Sequence, residues 1–158
     1  MRTIITNSEQ ETKNIAKEIA KNIDKNAVIV LTGELGAGKT KFTEGFLSYF
    51  GLENEISSPT FTIVNEYKNE NSTIYHFDVY RLSDVDEFYA IGGEEYFSKG
   101  ICIVEWGEII EEALPKNCIR INIKKDENNF DKRIIEIEQI WKNKKIFSKF
   151  VSVRRFMK

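Results

Sequence analysis

An apolar run that leads straight into a glycine-rich loop is the feature that most constrains how this chain can fold. Residues 27–31, "AVIVL", are apolar on both faces, which predicts a central strand in a sheet covered on two sides. The loop "TGELGAGKT" follows at once, and "KFTEGFLSYFG" then spaces its aromatic residues as one face of a helix does. Strand, loop and helix in this order predict an α/β fold with a mixed β-sheet flanked by helices.

The loop matches the pattern G-x-x-x-x-G-K-[ST] through Gly33, Gly38, Lys39 and Thr40. Glycines allow backbone conformations in which successive N–H groups point at phosphate oxygens, and the helix that follows adds the positive end of its dipole. Lys39 can then reach the β- and γ-phosphates, while the Thr40 hydroxyl ligates magnesium. A plain glycine-rich turn is the alternative, but the strand before the loop and the helix after it favour nucleotide binding.

The remaining segments predict further strands and helices around this unit. "SEQETKNIAKEIAKNI" has the spacing of a capping box and of a surface helix. "FTIVNEY" and "STIYHFDVY" predict a hairpin, and "ICIVEW" predicts a second buried strand. "SDVDEFYAIGGEEYF" predicts one or two short helices, and "GEIIEEAL" predicts a helix stopped by Pro115. "CIRINIK" and "RIIEIEQI" predict additional edge strands.

Charge divides the 158 residues into an acidic body and a basic end. Residues 1–140 carry 16 basic and 25 acidic side chains, a formal charge of −9, whereas residues 141–158 carry seven Lys or Arg and no acid. The sequence therefore predicts a P-loop domain over 1–140 and a basic amphipathic tail over 141–158. A solvated terminal helix is the favoured interpretation of the tail, with docking on the domain, on a partner or on RNA phosphate as alternatives.

Targeting signals and cysteine spacing bear on location. The first ten residues have no apolar signal core, and "AVIVL" is far too short to span a bilayer. Cys102 and Cys118 show no metal-binding spacing, which favours two buried free thiols in a reducing compartment. We therefore expect a soluble, cytoplasmic protein with no membrane partner.

Two acids are candidates to complete a magnesium site beside the phosphate loop. Glu105 ends the strand "ICIVE", and Asp78 lies near the end of "IYHFDVY". Strand alternation places His76 and Asp78 on one face. Either acid could instead be an ordinary strand-end carboxylate, and His76 alone is more typical of a packed residue than of a catalytic one.

The stretch "SSPTF" follows the phosphate-loop helix, where switch segments of nucleotidases carry hydroxyls that sense the γ-phosphate. Ser57, Ser58 and Thr60 supply such hydroxyls around Pro59. A plain turn is an equally good interpretation of this stretch alone.

Four motifs, "GELGAGKT", "SPTFTIVNEY", "YHFDVYRL" and "VEW", occur in an order and spacing that resemble the TsaE family of bacterial ATPases, over about residues 8–140. The resemblance implies a P-loop NTPase fold whose ATPase cycle resets a TsaB–TsaD complex during synthesis of threonylcarbamoyladenosine in tRNA. It implies that ATP and Mg are held by eight consecutive residues, namely Gly33, Glu34, Leu35, Gly36, Ala37, Gly38, Lys39 and Thr40.

The resemblance also implies roles outside the loop. Glu105 would serve the metal, Thr60 would lie near the γ-phosphate, and Asp78 and Trp106 would act in turnover or in coupling to partners. The "SSPTF" stretch, with Ser58, would transmit the effect of partner docking to the nucleotide. Any contact with tRNA would be indirect, through the basic tail.

Three other classes of nucleotide-binding protein are alternatives to this interpretation. A small-molecule P-loop kinase usually needs an arginine-rich lid, and Arg81 is the only arginine between Thr60 and Gly100. A GTPase is expected to carry an N-K-x-D motif, which is absent. A nucleotide-binding regulatory module without significant turnover stays open, because turnover cannot be read from residues alone.

Overall fold

The computed structural model describes residues 1–57 and 62–138, so the basic tail predicted over 141–158 lies outside the described residues. Seven strands form one mixed sheet in the order β1-β7-β6-β2-β5-β4-β3. The strands are β1 (Arg2–Thr6), β2 (Val28–Thr32), β3 (Val64–Lys68), β4 (Thr73–Asp78), β5 (Ile101–Glu105), β6 (Ile119–Lys125) and β7 (Arg133–Glu138). The α-helices are α1 (Glu9–Asn22), α2 (Lys39–Ser48) and α3 (Val85–Ala90), and 3₁₀ segments cover Glu53–Glu55, Gly93–Ser98 and Gly107–Ala113. The predicted α/β fold is confirmed.

Strand β2 is central, as its apolar run predicts. It pairs in parallel with β5 on one side and with β6 on the other, and β4 extends the parallel part beyond β5. Residues 28–31 are all buried. Because carboxyl ends of parallel strands meet at one edge of a sheet, the ends of β2, β4 and β5 gather beside the start of α2.

The predicted edge strands are in different positions. Both are internal, with β6 between β2 and β7 and β7 between β6 and β1, and the sheet edges are β1 and β3. The prediction was wrong because alternation reports that one face of a strand meets solvent, not that one edge lacks a neighbour. Strand β1 was not predicted, since its five residues bury only Ile4 and Thr6.

Apolar layers cover both faces of the sheet. On one face α1 and α2 bury side chains such as Ile15, Ile19, Phe42 and Phe46. On the other face α3 and the 3₁₀ segments Gly93–Ser98 and Gly107–Ala113 pack on Val30, Phe77 and their neighbours. The segment predicted as a helix before Pro115 is 3₁₀ rather than α, with non-helical backbone at Ile110.

Several local predictions hold in detail. Ser8 caps α1 by accepting the Glu11 N–H at 3.1 Å, and β3 and β4 form the predicted hairpin. Cys102 and Cys118 are buried free thiols, and burial raises the pKa of Cys102 to about 12. None of the helices in the described ranges is long and apolar enough to span a bilayer.

Helices α1 and α2 touch through their backbones at Gly45. A Cβ atom built on Gly45 would lie 2.3 Å from the carbonyl oxygen of Lys13 and 2.4 Å from its Cα. Both distances are far below van der Waals contact, so this interior helical position has no room for a side chain. The close approach explains a glycine in the middle of a helix, where it is otherwise unfavourable.

We expect Gly45→Ala to destabilise the protein by about 2 kcal/mol or more, because the two helices must separate. Helix propensity alone predicts the opposite sign, a gain of about 1 kcal/mol. Urea unfolding measures the difference. Gly51→Ala is the control for a substitution without a steric clash, because nothing lies within 4 Å of the added methyl group. The left-handed φ of 72° at Gly51 adds backbone strain only. A more stable Gly45→Ala variant would contradict the packing argument.

Candidate functional site

The loop between β2 and α2 has the backbone geometry that its glycines predict. Gly38 is the N-cap of α2 with φ of 110°, a left-handed conformation, and its carbonyl accepts the Phe42 N–H at 2.9 Å. Gly33 lies so close to β6 that an added Cβ would be 2.7 Å from the Ile123 carbonyl oxygen. The loop therefore requires glycine at its start for space and at its end for conformation.

This loop forms one wall of a cleft of about 440 Å³, a size typical of small-molecule sites. Lys39 and Thr40, from the first turn of α2, face Asp78 and Glu105 across it. Within the loop, Leu35 is almost fully exposed, Glu34 accepts the Ala37 N–H through its backbone carbonyl, and Ala37 is buried. The other residues that line the cleft are Glu9, Thr12, Leu35, Gly36, Gly38, Lys41, Trp106, Asp131 and Arg133.

Glu105 is the electrostatic centre of the cleft. Its Oε2 lies 2.8 Å from Nε2 of the buried His76, and its Oε1 lies 3.7 Å from Nζ of Lys39. An ionised carboxylate only accepts, so Nε2 carries a proton and donates it to Glu105, while the second ring nitrogen of His76 is Nδ1. That Nδ1 is buried and has no hydrogen-bond partner among the described residues.

The environment of Glu105 keeps it ionised. Burial acts to raise its pKa, but the hydrogen bond and charge of His76, together with the charge of Lys39, outweigh burial and hold the pKa below its ordinary value. The carboxylate is therefore available as an anionic ligand at neutral pH.

Asp78 and Glu105 are not alternatives in space, because the fold brings both to the cleft. They lie directly opposite each other at the ends of β4 and β5. Side chains at paired positions of parallel strands project from the same face, so the two carboxylates are neighbours. His76 shares that face, and its observed hydrogen bond is to Glu105. The Oδ1 of Asp78 accepts the Tyr80 N–H at 3.0 Å.

Trp106 follows Glu105 in a left-handed conformation, with φ of 64°. Its ring lies 4.8 Å from the Tyr80 ring, and Nζ of Lys39 lies 5.6 Å from its centroid, within cation–π range. The side chain is 41% exposed, so an aromatic surface adjoins the charged cleft and remains accessible from outside.

Ser58 and Thr60 lie outside the described residues, and their predicted roles stay predictions. The residue before them is anchored: Ser57 donates its N–H to Tyr67 Oη at 2.9 Å, and Asn65 Nδ2 donates to the Ser57 carbonyl at 3.1 Å. Strand β3 thus fixes the point where the "SSPTF" stretch begins.

Sequence reasoning missed the far side of the cleft. Glu9 and Thr12 come from the first turns of α1, and Asp131 and Arg133 come from the turn and strand after β6. None belongs to a recognisable motif. The capping box at Ser8 indicated where α1 begins, but nothing in the sequence indicated that this end faces the phosphate loop.

The donor set fits a nucleotide with magnesium. Glycine N–H groups and Lys39 suit phosphate, and the Thr40 hydroxyl and two carboxylates are the hard oxygen ligands that Mg²⁺ takes. Across residues 1–57 and 62–138 no group of three or more His, Cys, Asp or Glu could hold a metal by itself.

Comparisons with known proteins all point to one family. Residues 6–135 match the family model described as threonylcarbamoyl adenosine biosynthesis protein TsaE. A tRNA threonylcarbamoyladenosine biosynthesis protein TsaE from Rickettsia bellii is 44% identical over 134 residues, which cover 84% of this chain and 92% of the relative. The Bacillus subtilis protein of the same name is 46% identical over 121 residues, or 76% and 75% of the two chains.

A solved structure agrees with these sequence matches. The crystal structure of YdiB from Bacillus subtilis superposes with a TM-score of 0.73 at 35% sequence identity, covering 96% of this chain and 94% of that one.

Proposed function

Because the chain belongs to the TsaE family, which acts in the biosynthesis of threonylcarbamoyladenosine in tRNA, we propose that it is a magnesium-dependent ATPase whose cycle drives or resets a TsaB–TsaD complex. One observation carries the proposal. A phosphate loop with its lysine faces two strand-end carboxylates across a single cleft.

Lys39 has two roles in this proposal. Its Nζ lies 3.7 Å from Glu105 Oε1 and 5.6 Å from the centroid of the Trp106 ring, so both groups stabilise its charge inside the cleft. With nucleotide it turns toward the β- and γ-phosphates, whose negative charge exceeds that of one carboxylate. Binding thus exchanges one ion pair for a stronger one, and Glu105 is released for a new partner.

Glu105 and Thr40 would hold the magnesium ion. When bound, Mg²⁺ neutralises charge on the β- and γ-phosphate oxygens. Glu105 is suited to this because His76 holds one of its oxygens in place at 2.8 Å while the other faces Lys39 and the cleft. His76 therefore orients the carboxylate without having to touch the nucleotide.

Asp78 would orient the attacking water, and Thr60 would sense the γ-phosphate. Asp78 is opposite Glu105, and its Oδ1 is tied to the Tyr80 backbone, so its carboxylate is held at the strand end rather than free to rotate. The second oxygen of Asp78 can accept a hydrogen bond from a water molecule in the cleft. Thr60 is assigned by the family resemblance alone.

Lys39→Ala should weaken ATP binding by about a hundredfold or more, since charge-assisted hydrogen bonds to phosphate contribute about 3 kcal/mol. Isothermal calorimetry with the isolated protein measures this. Lys17→Ala removes a lysine from the exposed face of α1 and should bind ATP like wild type. Wild-type affinity in Lys39→Ala would refute the phosphate-loop proposal.

The two carboxylates should differ in a magnesium titration of ATP hydrolysis. If Glu105 serves the metal, Glu105→Gln should raise the half-saturating magnesium concentration by roughly tenfold, equivalent to about 1.4 kcal/mol. Asp78→Asn should lower the maximal rate with a smaller shift in magnesium dependence. The same shift in both variants would leave the assignment without support.

Coupling to TsaB–TsaD is proposed because, among the described residues, no arginine that lines the cleft is free to stabilise the transferring phosphoryl group. Arg133 is the arginine that lines it in the described part of the chain, and its Nε and Nη1 already donate to backbone carbonyls. An arginine supplied to the transition state raises phosphoryl-transfer rates by roughly a thousandfold or more. The exposed Trp106 surface, beside Lys39, is where docking would reach the nucleotide.

Steady-state hydrolysis should therefore rise sharply, by roughly a thousandfold, when TsaB–TsaD is added. Trp106→Ala should blunt the rise while changing ATP affinity only about threefold, the size of one cation–π contact. Tyr49→Ala deletes an aromatic side chain of similar exposure, 44%, at the other end of α2 and should be stimulated normally. Equal rates for the isolated protein and the assembled complex would overturn the coupling model.

A further inference from the structure

Arg133 connects the phosphate loop to a hairpin far from it in sequence. It is the first residue of β7 and is half-buried at the wall of the cleft. Its Nε donates to the carbonyl oxygen of Ala37 at 2.8 Å, across 96 positions of sequence. A Cβ atom built on Gly38 would lie 3.7 Å from the same Nε, so the guanidinium lies against the last turn of the loop.

The hairpin holds the guanidinium in a fixed orientation. Nη1 of Arg133 donates to the carbonyls of Phe130 at 2.6 Å and Lys132 at 3.0 Å. The turn itself is closed by Asp126, which accepts backbone N–H groups from Asn128 and Asn129 and pairs with Lys132. A planar guanidinium with three bonded N–H groups on such a turn has little freedom to rotate.

The bond to Ala37 determines the direction of an N–H group in the loop. The carbonyl of Ala37 and the N–H of Gly38 belong to one trans peptide and point in opposite directions. With the carbonyl held by Arg133, the Gly38 N–H points away from the hairpin. No residue in the described part of the chain accepts a hydrogen bond from this N–H, whereas the Ala37 N–H is used inside the loop by Glu34.

We propose that Arg133 is a positioning residue for nucleotide binding: by holding the Ala37 carbonyl against the β6–β7 turn, it aims the Gly38 N–H at the phosphates. The proposal rests on the nucleotide-binding function proposed above. It assigns to β7 a part in phosphate binding, and it explains why Arg133 does not act on the γ-phosphate itself. Its effect on binding is therefore the same for ATP and ADP.

The test is calorimetry of Mg-ATP and Mg-ADP binding to wild type and three variants. Arg133→Gln removes the charge and the fork, and both dissociation constants should rise about tenfold, the effect of losing one charge-assisted hydrogen bond. Arg133→Lys keeps the charge but cannot donate to three carbonyls through a planar guanidinium. Both dissociation constants should therefore still rise several-fold. Lys124→Gln, which removes a lysine paired with Glu136 on the same hairpin, should bind like wild type.

The outcomes separate the proposal from its alternatives. Wild-type affinity in Arg133→Gln, restoration of affinity by Arg133→Lys, or weakening for ATP alone would each overturn it. Thermal unfolding without nucleotide reports whether Arg133→Gln folds. If it does not, the affinities of Arg133→Lys test the proposal instead. Wild-type protein that binds neither nucleotide would instead refute the proposed function, which is a separate result because wild type retains Arg133.

Discussion

The parallel pairing of β2 with β5, and of β5 with β4, is the constraint on which the cleft depends. This pairing places Leu31 and Asp78 on either side of Glu105, at the end where the chain leaves β2 for the phosphate loop. The backbone continues the contact beyond the strands, since Val79 donates its N–H to the Glu105 carbonyl at 3.3 Å. Loop and carboxylates therefore face each other because of strand register, with no need for contacts between their side chains.

Charge in the cleft is balanced internally. Glu105 would be protonated more readily by burial alone, and Lys39 would be an unpaired cation at its edge, yet each compensates the other and His76 fixes their geometry. A triphosphate and a divalent cation carry the opposite charges to Lys39 and Glu105 respectively. The charges of Lys39 and Glu105 are thus complementary to those of the ligand proposed for the cleft.

The parts of this structure that could be predicted are the contiguous ones. β2, the loop and α2 follow one another in sequence, so hydrophobic period and glycine placement were enough to predict them. The acids at the ends of β4 and β5 were candidates because a phosphate loop needs a carboxylate at the end of a neighbouring strand. The position of β6, the presence of β1 and the contact of Arg133 with Ala37 depend on pairing between distant segments. Single-sequence periodicity carries no information on such partners. The wrong prediction of β6 as an edge strand shows this limit, because its pattern of burial was correct and only its neighbour was missing.

The contact at Gly45 has a mechanical consequence. The first turn of α1 and the first turn of α2 both line the cleft, and the two helices meet backbone to backbone a few residues further along. At Gly45 no side chain stands between the two backbones, so rotamer changes cannot alter their separation at that point. We therefore expect the two helices, which contribute two walls of the cleft, to move together as one rigid unit. A change in the width of the cleft would then come from the strand-end segments on the opposite side.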